Sequence, residues 1–302
     1  MFDRLIKAIN EKKNPAVMGL DPLLEYVPQP IVDECIAQYG KTPKAAGEAL
    51  FAFNKGLIDC AYDLIPAVKP QAAFYEKYGI EGMIALDRTI QYAKQAGLYV
   101  ILDIKRNDIG TTAQAYADAY LGQTDVFGEK VSFTGADCVT VNGYLGSDGI
   151  KPFVDTCLAA DGAIFALVKT SNKSSGELQD KLCGEKSIYL HMADLVDGWN
   201  VKDGSKSGYG CVGAVVGATY PEQLNELRAQ YPKMFFLVPG YGAQGGKADD
   251  IMGAFDKEGN GAIINSSRGL MCAHMKKSDP ANFQKHTRDA VLAMKQEISP
   301  FS

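Results

Sequence analysis

The stretch YVILDIKRNDIG, residues 99–110, decides how this chain is read. Tyr99 to Leu102 are continuously apolar, and then Asp103, Lys105, Arg106 and Asp108 crowd into six positions. A strand with one wet face alternates apolar and polar residues. An unbroken apolar run is what a parallel strand covered on both faces looks like. In a barrel, successive side chains point in turn to the helix layer and to the interior. That alternation sends Val100, Leu102 and Ile104 toward helices, and Ile101, Asp103 and Lys105 inward. Asp103 and Lys105 then share one face at the C-terminal end of the strand, and Asp108 falls in the loop beyond it.

Seven similar runs lie outward from this one: AVMGL (16–20), PAVK (66–69), CVTVN (138–142), AIFALVKT (163–170), CVGAVVGA (211–218), MFFLVPG (234–240) and GAIINSS (261–267). Helical patterns separate them, among them AGEALFAFNKGLIDCAYDLI, EGMIALDRTIQYAKQAG and YPEQLNELRAQY. The C-terminal pattern DPANFQKHTRDAVLAMKQEI offers Asp279 as N-cap and Pro280 as first helical residue. Eight strands alternating with helices predict an α/β fold, a (β/α)8 TIM barrel, with an open doubly wound sheet as runner-up. No linker, repeat or low-complexity segment divides the chain, so residues 1–302 are expected to form a single barrel domain. The connections over about 21–66 and 171–210 are too long for structureless loops. They predict extra helices after strands 1 and 5 (43–65 and 187–198) together with active-site flaps.

Composition narrows the functional classes. With 46% hydrophobic and 22% charged residues the chain is an ordinary globular protein. A net charge of −5 gives no reason to expect nucleic acid or an anionic membrane as partner. The N-terminal MFDRLIKAINEKKN reads as an amphipathic helix rather than a signal peptide, and no 18-residue apolar run occurs. The seven cysteines include no CxxC and are odd in number, which fits buried thiols in the reducing cytoplasm. His191, His274 and His286 do not pair at metal-ligand spacing, so no metal is expected. The acceptor patterns at Asn172 and Asn265 are chance matches in a cytoplasmic chain.

Two glycine-rich stretches invite a nucleotide reading. GYGCVG (208–213) has G-x-G-x-x-G spacing, but its glycines precede a strand instead of following one, so it reads as a loop entering strand six. GYGAQGGKADD (240–250) fails the P-loop spacing, yet it follows a strand and precedes a helical pattern. Its backbone N–H groups and the positive end of the next helix could hold an anion; a ligand-free turn explains it equally well.

The stronger signal is convergence at the strand ends. Asp21, Lys69, Asp103 with Lys105, Asn142, Lys169-Thr170-Ser171 and Arg268 all fall where barrel active sites lie. Any one of them alone is a loop cap or a solvated charge. Arg268 with the 240–246 loop suits a phosphate, which barrels often bind after strands seven and eight. Lys69, Asp103, Lys105 and Asp108 suit chemistry. Ion pairs tying strands two and three together are the structural alternative, but buried pairs stabilise a fold poorly.

These residues resemble a known family. DIKRNDIGTT carries the D-x-K-x-x-D signature of orotidine 5′-phosphate decarboxylases, and VMGLDP, VKPQAAFYE, VKTSNKSSG, VPGYGAQGG and INSSRG resemble that family's other strand-end motifs in order. The likeness runs from Asp21 to Arg268 and is nearest the longer bacterial-type branch; Lys173 stands where that branch is expected to have proline. The resemblance implies decarboxylation of orotidine 5′-phosphate to UMP and CO2, the last step of de novo UMP synthesis, without metal or organic cofactor. It implies a catalytic tetrad of Lys69, Asp103, Lys105 and Asp108. It also implies Asp21 on the ribose, Ser171 on the pyrimidine amide edge, and Gln244 and Arg268 on the phosphate. Asp108 and Thr112 are implied to reach the neighbouring subunit's site in a homodimer.

The chemistry explains the residue types. Loss of CO2 leaves a C6 carbanion with little resonance stabilisation, which calls for a cation where the charge develops. Lys105 is that cation and the proton donor, and flanking acids favour its charged form against burial. The rivals are an Mg2+-dependent sugar-phosphate decarboxylase of the 3-keto-L-gulonate 6-phosphate type, a Schiff-base aldolase using Lys69 or Lys105, and a non-catalytic phosphate-binding barrel. An aldolase lysine needs a depressed pKa, which neighbouring acids oppose.

Overall fold

The computed structural model describes residues 1–242, 245–275 and 277–300. Eight parallel strands close into a barrel: Ala16–Leu20, Ala67–Pro70, Tyr99–Arg106, Cys138–Val141, Ala163–Lys169, Val212–Val216, Phe236–Val238 and Ala262–Ser266. Each pairs with its sequence neighbours, and the first closes on the eighth through Ala16↔Ile264. The chain therefore has the expected (β/α)8 architecture, and each strand falls on one of the eight apolar runs.

The alternation along each strand builds two separate cores. Val100, Leu102 and Ile104 join Phe53, Leu57, Phe153 and Val196 in the helix layer. Ile101 joins Val17, Ala67, Cys138, Phe165, Leu237 and Ile263 inside the barrel. Small residues beside large ones let this interior fill. The helix Asp3–Lys12 plugs the end opposite the strand C-termini, where Phe2 stacks on Phe235 with centroids 4.7 Å apart. The plug is tied down by Phe2 N–H to the Gly210 carbonyl (3.2 Å) and by the Met1 amine to Asp161 (2.8 Å). Gly208 and Gly210 lie in the loop entering strand six, as the GYGCVG reading anticipated.

Both long connections carry extra helices. After strand one come Gln29–Tyr39 and Pro43–Ala61; Thr42 caps the second, accepting from the Ala45 N–H at 3.3 Å, with Pro43 in the first turn. After strand five come a short 3-10 turn (Lys173–Glu177), a two-residue hairpin and the helix Ile188–Trp199.

Two local expectations fail. Asp279 does not cap the C-terminal helix: a 3-10 turn, Pro280–Asn282, precedes the helix Phe283–Ile298, and the Asp279 carboxylate accepts from His286 Nε2 at 2.7 Å instead. The helix after the glycine-rich loop is a single turn, Ala248–Ile251. A dipole needs aligned peptide units, so this turn offers an anion little.

The strands are not regular to their ends. Strand three pairs Leu102 with Val139 and then Arg106 with Val141, so extra residues bulge out on the strand-three side. Strand five pairs Leu167 with Val215 and then Lys169 with Val216, so Val168 is extra. Bulges bend a strand and re-aim the side chains that follow, and both of these lie at the end of the barrel that carries the charges.

Candidate active site

Lys69, the last residue but one of its strand, faces inward and is 4% exposed. Its Nζ donates to Asp103 Oδ2 at 2.8 Å across the pair of strands two and three. Lys105 Nζ donates to Asp103 Oδ1 at 2.5 Å, and Thr140 Oγ1 donates to the same oxygen at 2.7 Å. One buried carboxylate thus orders two lysines and a hydroxyl. Burial alone would push the Asp103 carboxyl up, but Lys69 and then Lys105 outweigh it and hold it well below the usual carboxylate range. Burial would likewise pull Lys69 down, yet Asp103 and Asp21 more than offset that and raise it. A lysine held charged in this way is a poor Schiff-base nucleophile, which weighs against the aldolase reading at Lys69.

Lys105 reaches this geometry through an uncommon backbone. Its φ is +48°, in the left-handed region that a side chain with a Cβ enters at a cost of roughly 1–2 kcal/mol. Its N–H is held by Thr140 Oγ1 at 3.0 Å. The bulge and the left-handed turn together bring Nζ to Asp103, while the side chain stays 43% exposed at the barrel mouth. Strain of this kind is kept where surrounding contacts over-determine it, characteristically at functional sites.

Above the cluster opens a cavity of about 490 Å3 whose walls include Asp21, Lys69, Asp103, Lys105, Ser171 and Gln179. A recess of about 310 Å3 beside it holds Tyr26, Gly240, Tyr241 and Arg268. Asp21, Asn265 and Ser267 line both, so the two form one trough. Glycines permit its tight walls: a Cβ on Gly19 would meet Ser267 Oγ at 2.0 Å, and one on Gly217 would meet Ser171 Cα at 2.7 Å. Arg268 is exposed and makes no ion pair with a described residue, so its charge is free for a ligand. Asp21 Oδ1 and Asn265 Oδ1 are buried on the trough wall, with no hydrogen-bond partner among the described residues. A larger groove of about 660 Å3 lies near the plugged end, around Arg4 and Asp137. Its buried acid is already paired, with Arg4 (2.6 Å) and the Val100 N–H (2.8 Å), and of the lysines that line it Lys94 bonds the Gly135 carbonyl and Lys130 pairs with Asp125 instead.

The structure brings Lys69, Asp103, Lys105, Asp21 and Ser171 to one cavity and Arg268 to the adjoining recess. Asp108 and Thr112 are not part of this chain's cavity. The Asp108 carboxylate accepts from the Ile109 N–H at 2.8 Å, and Thr112 is exposed on the first turn of the helix Gly110–Tyr120. Asn142 turns aside to accept from the Tyr144 N–H at 3.0 Å. Gln244 lies outside the described residues. Sequence reasoning missed Thr140, Gln179, Asn265 and Ser267. Thr140 was reachable: strand-four alternation puts it inward, one residue pair above Cys138. Among the described residues, no group of three His, Cys, Asp or Glu side chains could hold a metal ion, and no helix is long and apolar enough to cross a membrane.

A closed barrel with a lysine–carboxylate cluster at its C-terminal mouth and a free arginine after strand eight defines a (β/α)8 barrel enzyme. The model of the orotidine 5′-phosphate decarboxylase / HUMPS family matches residues 53–280, and the chain belongs to that family. It is 46% identical to the orotidine 5′-phosphate decarboxylase of Rhodopirellula baltica over 98% of this chain and 97% of that one. It is 39% identical to the protein of that name from Caldicellulosiruptor saccharolyticus over 98% and 97%. The solved structure of Leishmania donovani OMP decarboxylase superposes with a TM-score of 0.72 at 33% identity, covering 98% of each chain.

Proposed function

We propose that this chain, working as one barrel domain over residues 1–302, is a carboxy-lyase that converts orotidine 5′-phosphate to UMP and CO2 in the cytoplasm, completing UMP synthesis. Family membership supports the reaction, and the seven free thiols fit the compartment. The observation that carries the mechanism is the buried Asp103 carboxylate holding Lys105 Nζ at 2.5 Å beside the cavity. The C6–carboxylate bond breaks, CO2 leaves and the electron pair stays on C6. Lys105 stabilises that charge and donates its proton to C6, then regains one from solvent. Asp103 and Lys69 hold Lys105 in place, Asp21 takes the ribose and Ser171 the pyrimidine edge. Arg268 and Gln244 hold the phosphate, supplying remote binding energy that orients the base. No step calls for a metal or an organic cofactor.

The working unit is a homodimer, with Asp108 and Thr112 completing the partner's site. Both lie on the far rim of strand three, outside their own cavity, and apolar Ile80, Ile109 and Tyr144 stand exposed (79%, 55% and 79%) near the ends of strands two to four.

The test follows loss of orotidine 5′-phosphate absorbance in EDTA. Wild-type protein should turn over, and Lys105→Ala should lose at least about 10^4-fold in kcat while staying folded. Near-normal activity in that variant would sink the assignment; activity on sugar phosphates that EDTA abolishes would favour the Mg2+-dependent type. Mixing Lys105→Ala with Asp108→Asn chains should restore about a quarter of wild-type activity, because one site in each mixed dimer is intact. No recovery on mixing refutes the shared site.

A further inference from the structure

Lys169 ends strand five and is fully buried, with 0% exposure. Plain alternation would set it beside Leu167 on the cavity wall, but the bulge at Val168 turns it away and it does not line the cavity. Its Nζ instead bonds Asp180 Oδ1 at 2.7 Å and Ser175 Oγ at 3.2 Å, and lies 4.2 Å from the centre of the Tyr220 ring. Asp180 and Ser175 belong to the segment that leaves this very strand. The same segment lends Ser171, Asn172 and Gln179 to the cavity wall.

The ammonium therefore draws the flap back over the strand it comes from. Other contacts complete the fold-back. The Thr170 N–H donates to Gln179 Oε1 at 2.9 Å, and Gln179 Nε2 donates to Thr170 Oγ1 at 2.7 Å. Tyr220 donates to the Asn172 carbonyl at 3.2 Å, and Thr219 Oγ1 to the Ser171 carbonyl at 3.1 Å. A buried ammonium is a poor choice for stability alone, since apolar packing holds a loop with less desolvation. What it adds is direction: its three donors fix where their partners stand.

We propose that Lys169 is a positioning residue, a buried cation that fixes the 171–180 flap so that Ser171 and Gln179 face the base of the bound nucleotide. The proposal rests on the decarboxylase reading for the identity of that nucleotide, but not for the flap's anchoring.

Two kinds of measurement separate these parts. Hydrogen exchange of amides 171–180 reads the flap without any ligand. It should be at least about tenfold faster in Lys169→Met than in wild type, and unchanged exchange overturns the proposal. Binding then uses UMP, which has a base, and ribose 5-phosphate, which has none. In Lys169→Met the Kd for UMP should rise about tenfold or more while that for ribose 5-phosphate stays within about twofold. KM for orotidine 5′-phosphate should rise in step, and Lys169→Arg, which keeps the charge, should recover part of the loss. Equal weakening of both ligands, or of neither, also overturns it. If Lys169→Met does not fold, Asp180→Asn, at a side chain 43% exposed, should show the same split at smaller amplitude, and its absence there is equally decisive. Wild-type protein that binds ribose 5-phosphate but ignores UMP strikes the decarboxylase reading instead, while the exchange result still judges the anchor.

Discussion

Lys69 and Lys169 both lie at the C-terminal ends of barrel strands, one of them a residue short of the last, both are nearly or fully buried, and both pair with an aspartate. Their partners differ in kind. Asp103 sits on the adjacent strand, 6% exposed, and shares itself with Lys105 and Thr140. Asp180 sits on the following flap with its side chain 43% exposed. The first pair welds two strands into one rigid surface, which a preorganised catalytic group requires. The second ties a strand to the half-exposed segment that follows it and lines the cavity, which holds one wall of the site against the barrel.

Removing each carboxylate should break the comparison in a measurable way. Asp103→Ala leaves the buried Lys69 ammonium without its carboxylate, and loss of one partner from a buried pair costs about 3–5 kcal/mol. Asp180→Ala opens a gap that water can fill, so about 1 kcal/mol is expected there. Urea unfolding of both variants tests this, and equal losses would mean that the two pairs are equivalent. Acid sharpens the point. The folded-state value for Asp103 is depressed, so its contribution is complete above the ordinary carboxylate value of about 4 and is lost as pH falls below it. The stability gap between wild type and Asp103→Ala should therefore shrink from about pH 4 downward.

The sequence distinguishes the two lysines poorly. Both follow an apolar run and a valine, VK, and both are followed by polar residues within two positions. Strand positions were legible because parallel strands buried on both faces read as continuous apolar runs. The inward side of Asp103 was legible because period-two alternation holds along strand three up to that point. Beyond it, bulges decide where side chains aim, and a bulge depends on the neighbouring strand's register, which no local pattern carries. Lys105 and Lys169 took their roles from that register. Asp279 failed as a cap for a similar reason, since its competitor His286 comes from the helix it was to start.

Arg268 is a third cation at a strand end, and it differs from both lysines: it is exposed and has no ion-pair partner among the described residues. Its removal orphans nothing. Arg268→Ala should leave urea stability unchanged but raise KM by about ten- to a hundredfold, the worth of charge-assisted hydrogen bonds to one phosphate at about 1.5–3 kcal/mol. Affinity for inorganic phosphate should fall in parallel. An unchanged KM would remove Arg268 from the phosphate site and leave its lack of a partner unexplained.

Lys105 shares Asp103 with Lys69 but bears its cost in the backbone. At φ +48° the residue gains nothing from its Cβ, and only the side-chain end justifies the conformation. Glycine relieves that strain whereas alanine keeps it. Lys105→Gly should therefore be more stable than Lys105→Ala by about 1 kcal/mol, although both lose turnover alike. Thermal unfolding of the two variants measures the difference directly. An alanine variant as stable as the glycine one would show that the bulge carries no strain, and that the left-handed turn follows from strand register instead of being held against its own preference by Thr140 and Asp103.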